Sequence, residues 1–286
     1  MSDETLIGHV SDTARWVAVY RAMETERPDA LFRDPFARRL AGAHGEAIVQ
    51  SMKRGQSSAW PMIVRTKVLD DLIQREVDAG VDTVLNLGSG LDARAFRMPL
   101  PPTLHWIDVD HPSMIEYKVG AMVNERPACR YEAVPLDLAD VEARQALFAR
   151  VNASARKMLV VTEGLLIYLS EAAVIRLATD LHGLSSVTAW LADLGSPQLL
   201  KMMSRNWGKT VAAGNAPFQF GPAEGPAFFD RFGWRALEYH SLFETGIRLN
   251  RTFALARFFR WLGTFSSAKR QAAFKHFAGV MSLVKR

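Results

Sequence analysis

Residues 83–94 read TVLNLGSGLDAR. Thr83 to Leu87 is a short run of β-branched and apolar residues, and it passes directly into Leu87-Gly88-Ser89-Gly90-Leu91-Asp92-Ala93. A strand that opens into glycines brings bare backbone to a ligand, because a residue without Cβ turns tightly and lets another molecule approach. The same strand grammar recurs downstream at Leu104 to Val109, Arg130 to Pro135, Met158 to Thr162, Val187 to Leu191, Trp234 to Tyr239 and Gly279 to Val284, with helical patterns between most of these runs. This alternation predicts an α/β fold built on a doubly wound, Rossmann-like sheet of seven strands. Ligands of such sheets lie beyond the carboxyl ends of the strands at the switch point, so function is expected just after the first four strands.

Upstream of the glycine loop the chain reads as helices. Ser11 can cap a helix whose Trp16, Val19, Tyr20 and Met23 share one face, and Asp34-Pro35 has the form of an N-cap followed by proline. A third helix is predicted from Pro61 to Ala79-Gly80, with Met62, Leu69, Leu72 and Ile73 on its buried face. Arg65 falls on that same face. A guanidinium there requires an anion, and an internal carboxylate and a ligand are equal alternatives. Residues 1–80 therefore read as an N-terminal helical lid and residues 81–286 as the core. Within the core, a stretch from about 195 to 233, rich in Gly, Pro and Met, reads as an inserted substrate cap. Its Trp207, Phe218, Phe220 and Phe228 suit either an apolar pocket or the cap's own small core.

Composition narrows the class. A single cysteine, Cys129, excludes an internal disulfide and a cysteine-based zinc site, which points to a reducing compartment and no metal. The opening MSDETLIGHVSD lacks the pattern of a signal peptide. The most apolar run, Met158 to Leu169, is broken by Thr162 and Glu163 and falls short of the ~20 residues of a membrane span. A cytoplasmic protein without membrane insertion is expected. The net charge of +5 is uneven: from Ser241 to Arg286 nine Lys or Arg face the single acid Glu244. In this tail Arg248, Arg251, Arg257 and Arg260 alternate with Phe253, Phe258, Phe259 and Trp261. Arginine stems solvated over a packed helix, or a docking surface for an acidic partner, both fit that pattern.

The strand tips carry the chemistry. Asp110 stands 20 residues after Gly90, where a carboxylate can accept both hydroxyls of a ribose or cap the following helix, and Asp108 alternates with it. After the third strand, Asp137 and Leu138 offer a side-chain acceptor and a backbone N–H for an adenine, or a plain turn. Glu163, inside an apolar run after the fourth strand, needs a cationic partner near the glycine loop. Two cofactor classes compete for this frame. A dinucleotide would set its pyrophosphate against the carboxylate of Asp92, whereas S-adenosylmethionine has no phosphate and its ammonium and sulfonium suit negative surroundings.

TARWVAVYRA at 13–22, FRDPFA at 32–37, VRTKVLDDL at 64–72, NLGSGLDARAFR at 86–97, DVDHP at 108–112, LDLAD at 136–140 and EGLLIYL at 163–169 occur in this order. Together they resemble the leucine carboxyl methyltransferase family, most closely its bacterial branch of small-molecule O-methyltransferases, over residues 10–195. The resemblance implies a class I methyltransferase fold with a seventh, antiparallel strand. It implies that Arg65 pairs with the methionine carboxylate of S-adenosylmethionine, Gly88 and Gly90 line the cofactor, Asp110 binds the ribose, Asp137 and Leu138 hold the adenine and Glu163 sits by the methionine moiety. Tyr168 would stand near the methyl group as a positioning residue, and Tyr20 and Arg21 would belong to the helix closing over the cofactor. The expected product is S-adenosylhomocysteine. The expected acceptor is a small organic carboxylate or phenol, free or carrier-bound, and not a nucleic acid; the oligomeric state is not legible. A nicotinamide-dependent oxidoreductase and a non-catalytic binding module using the basic tail are the competing readings.

Overall fold

The structure, a computed structural model, describes residues 11–52, 59–213, 217–253, 255–264 and 275–286. Helices α1 (Ser11–Thr25), α2 (Ala37–Ser51) and α3 (Trp60–Asp78) lead into β1 (Thr83–Leu87). Then follow α4 (Arg94–Arg97), β2 (His105–Asp110), α5 (Pro112–Ala121), β3 (Arg130–Pro135), α6 (Val141–Ser154), β4 (Met158–Thr162) and α7 (Glu171–His182). The chain ends with β5 (Val187–Gly195), α8 (Pro197–Ala213), β6 (Trp234–Ser241), α9 (Leu242–Arg248), α10 (Ala256–Thr264) and β7 (Ala278–Lys285). All seven predicted strands form, and β5 and β6 run on to Gly195 and Ser241.

The strands make one sheet in the order β3-β2-β1-β4-β5-β7-β6. Strands β1 to β5 are parallel, and β7 inserts antiparallel between β5 and β6. Alternating side chains supply the two cores, as the pleat requires. Leu85, Ile107, Val160 and Trp190 bury one face beneath α6 and α7, while Val84, Trp106, Leu159 and Leu191 bury the other beneath α3. The order reverses between β1 and β4, and the free carboxyl ends on either side of that break define the crevice.

Three sequence expectations change. Asp34 lies ahead of α2, which starts at Ala37 after Phe36: one carboxylate oxygen accepts the Phe36 N–H at 3.2 Å and the other the Arg21 guanidinium at 2.8 Å. The inserted stretch splits into α8 and a 3₁₀ segment, Gly225–Phe232. Phe220 and Phe228 from this stretch join Trp190 and Trp234 in the sheet core, 2 % and 1 % exposed, and contribute nothing to the crevice. The Trp207 side chain lies outside the described residues. In the basic tail, Arg251 is neither solvated nor a docking group. Its guanidinium holds the buried Glu24 of α1 at 3.0 Å and the Asp29 carbonyl at 2.6 Å, binding the C-terminal region to the N-terminal helices.

Candidate active site

A cavity of about 1340 Å³ opens beyond the carboxyl ends of β1 and β4. Arg65, Gly88, Gly90, Asp110, Asp137, Leu138, Glu163 and Tyr168 all line it. The loop after β1 folds back because Gly88 and Gly90 adopt φ of +65° and +50°, conformations that side chains rarely allow. The Gly88 N–H donates to the Val109 carbonyl at 2.8 Å, fixing the loop to β2. At the tip of β2, Asp110 accepts the N–H groups of Gly90 at 2.6 Å and His111 at 2.7 Å. It therefore clasps the glycine loop rather than capping α5, whose N-cap is His111. Burial raises the Asp110 carboxyl above the ordinary range against these two N–H groups. Asp108 goes elsewhere: wholly buried, it accepts Asn86, Trp106 and Lys118 at 2.8, 2.9 and 2.6 Å. Asp137 closes an Asx turn by accepting the Ala139 N–H at 2.9 Å, and Arg144 donates to the Leu138 carbonyl at 2.5 Å.

Arg65 meets internal carboxylates. Its Nε donates to Glu163 at 3.0 Å and its Nη1 to Asp193 at 2.9 Å, while the other oxygen of Asp193 accepts the Gly164 N–H at 2.6 Å. Arg94, 2 % exposed, extends the network to Glu163 at 2.7 Å, Asp92 at 2.8 Å and Asp70 at 2.7 Å. Arg21 donates to the Leu91 carbonyl at 2.6 Å and so fastens α1 to the loop. Burial opposes ionisation of Glu163 and Asp92, yet Arg94 with Arg65, and Arg94 with Lys118, hold the two carboxyls below the ordinary range. The cavity wall thus carries the carboxylates Asp92, Asp110, Asp137, Glu163 and Asp193, and every arginine of its inner half is already engaged by an acid. Sequence reading missed Asp193, Asp92 as an ion-pair member, and Arg94. An acid in the apolar tail of β5, ALADLG at 189–195 less its Trp190, was the available signal for Asp193.

The rest of the cavity's lining is largely apolar. Tyr168 is part of it, its ring 5.6 Å from that of Phe218. Burial raises its phenol above the ordinary value, against the hydrogen bond with Thr13 and the charge of Arg65. The same lining includes Leu199, Met202 and Met203 of α8, Phe243 of α9, Phe253 and Phe277. These side chains, not Phe220 or Phe228, form the apolar wall.

The model of the family described as "Leucine carboxyl methyltransferase" matches residues 14–182. The chain belongs to the leucine carboxyl methyltransferase family. Among relatives, a Streptomyces coelicolor protein named as a candidate S-adenosyl-L-methionine-dependent methyltransferase is 40 % identical over 57 % of this chain, a stretch spanning 60 % of that relative. A Frankia alni protein of the same description is 34 % identical over 78 % of this chain and 82 % of its own length. A crystal structure of a DUF574-family protein from Streptomyces avermitilis shares the fold, with a TM-score of 0.58 at 12 % identity over 96 % of this chain and 97 % of that one. Family membership and strand order together make the sheet that of a class I methyltransferase, with β7 as its antiparallel insertion.

Proposed function

We propose that this protein uses S-adenosylmethionine to methylate an oxygen of a small, largely apolar organic acid. S-adenosylmethionine dependence is what the family and its named relatives carry to the chain. The observation that carries the reading is the acidic wall at the switch point: five carboxylates surround a glycine loop, and each arginine of the inner cavity already pairs with an acid, leaving only the Arg65 Nη2 for a ligand anion. A nicotinamide dinucleotide would bring its diphosphate against Asp92, which Arg94 and Lys118 keep ionised. A cationic, phosphate-free nucleoside fits the same wall. Gly88 and Gly90 supply the bare backbone it needs, since a Cβ on either would already stand 3.0 Å from Leu165 or 3.2 Å from Ala14.

When bound, S-adenosylmethionine supplies a methyl group activated by its sulfonium. Asp110 would accept the ribose hydroxyls, Asp137 and the Leu138 backbone the adenine edge, and Glu163 with Asp193 the ammonium. Arg65 keeps an Nη2 without a carboxylate partner and would take the methionine carboxylate there. Tyr168, held neutral by burial, would shape the passage between cofactor and acceptor. A carboxylate acceptor is ionised near neutral pH and needs no general base. Alignment and exclusion of water then suffice, because positioning alone reaches effective molarities of ~10⁵ M or more.

The test is incubation of the protein and S-adenosylmethionine with a panel of aryl and alkyl carboxylic acids, their phenolic analogues and primary amines, read by mass spectrometry. Methyl esters are expected. Methylation confined to the amines, with S-adenosylhomocysteine formed, would refute the oxygen assignment.

A further inference from the structure

The apolar lining holds a cation that the inner network does not explain. Arg21, Arg65 and Arg94 line the cavity and each grips a carboxylate, and His111 lies 3.7 Å from Asp137. Arg205 also lines the cavity, and among the described residues it has no ion pair. It sits on α8, the helix that supplies Leu199, Met202 and Met203 to the same wall. Counting from Pro197 at 1.5 Å per residue, Arg205 stands about 12 Å up the helix from the sheet edge. The Glu163, Gly164 and Asp193 cluster, where the cofactor's ammonium is placed, lies at the carboxyl ends of β4 and β5, and Tyr168, where the methyl group is placed, follows it on the loop after β4. An apolar wall with one unspent guanidinium about two turns along α8 from its start is complementary to a long apolar body ending in an anion.

We propose that the acceptor is an elongated apolar molecule bearing a carboxylate or phosphate at the end remote from the methylated oxygen, and that Arg205 selects it. This rests on the methyltransferase reading for the position of the reacting end, but not for the anion preference itself. Because Arg205 is exposed, its ion pair is screened, and the preference is expected to be modest, about fivefold.

The probe is 11-(dansylamino)undecanoic acid, titrated by fluorescence beside its methyl ester, with wild type, Arg205→Gln and Arg205→Lys. The wild type is expected to bind the acid about fivefold more tightly than the ester. Arg205→Gln should bind the two equally, and Arg205→Lys should keep part of the preference. Displacement by dodecyl phosphate and dodecanoate, each better than dodecanol, supports the proposal, and the better of the two identifies the anion. Equal binding of acid and ester by the wild type, no binding of the acid, or a preference that survives Arg205→Gln overturns it. Calorimetric titration with S-adenosylhomocysteine runs in parallel on the same three proteins. If that heat is missing while the acid preference stands, the cofactor reading fails and the anion site does not.

Discussion

Arg65 is the side chain on which the inner cavity is organised, since without it Glu163 and Asp193 would share a buried corner uncompensated on that side. Removing one partner of a buried ion pair costs about 3–5 kcal/mol. Arg65→Ala is therefore expected to lower the melting temperature by roughly 10 °C, at 2–4 °C per kcal/mol for a chain of this size. It should also weaken S-adenosylhomocysteine binding at least about tenfold, as calorimetry would read. Tyr168 makes the opposite kind of prediction. Burial keeps its phenol neutral, so Tyr168→Phe should reduce kcat less than about tenfold, and kcat of the wild type on a carboxylate should stay level from pH 6 to 9. A kcat that climbs with pH and levels off in Tyr168→Phe would make the tyrosine a base. These positions were legible because an acid or a guanidinium amid apolar neighbours is conspicuous in a string of letters. What the letters left open was the partner. Arg65 was an even choice between ligand and internal acid, and it faces internal acids with one nitrogen to spare.

Between elements, the closest constraint is where β6 crosses β7. Gly279 pairs with Ser241, and a Cβ there would lie 2.3 Å from the Tyr239 ring. Gly279→Ala is expected to destabilise the protein by about 1–3 kcal/mol through overpacking, measured by urea unfolding. An unchanged midpoint would show that the Tyr239 ring can swing aside. The clasp between Arg251 and Glu24 joins the segment after α9 to α1 across 227 positions of sequence. Arg251→Ala leaves the buried Glu24 with only Arg27 at 3.7 Å and the Leu31 N–H, and should cost about 2–3 kcal/mol in the same assay. Local periodicity cannot register such a contact, which is why the tail read as a solvated or docking surface. The helix starts show the same limit: Asp34 has the letters of a cap and does accept the Phe36 N–H, while its second bond, to the distant Arg21, is outside any local pattern.

For the molecule as a whole, the alternation of strands and helices was enough to predict the doubly wound sheet. The antiparallel entry of β7 was not in the pattern and came only from the family resemblance, because strand order depends on which edges meet in space. The buried charges set the acid limb of stability. Glu163 and Asp92 have folded values below their unfolded ones of about 4.3 and 3.9. Their contribution is complete above about pH 5 and is lost as the pH falls below 4. Asp110, shifted upward, works against this and softens the limb. Thermal melts between pH 3 and 7 should show the melting temperature level at the upper end and falling steeply below pH 4; a curve flat to pH 3 would mean these carboxylates are not ionised in the folded protein. The central claim is that the acidic wall around the Gly88 loop binds a phosphate-free nucleoside that carries a methionine-type ammonium. Calorimetry with S-adenosylhomocysteine on wild type and Asp110→Asn tests it most directly: stoichiometric binding by the wild type, weakened at least about tenfold in the variant, is predicted, and no heat with the wild type, or binding of a nicotinamide dinucleotide in its place, contradicts it.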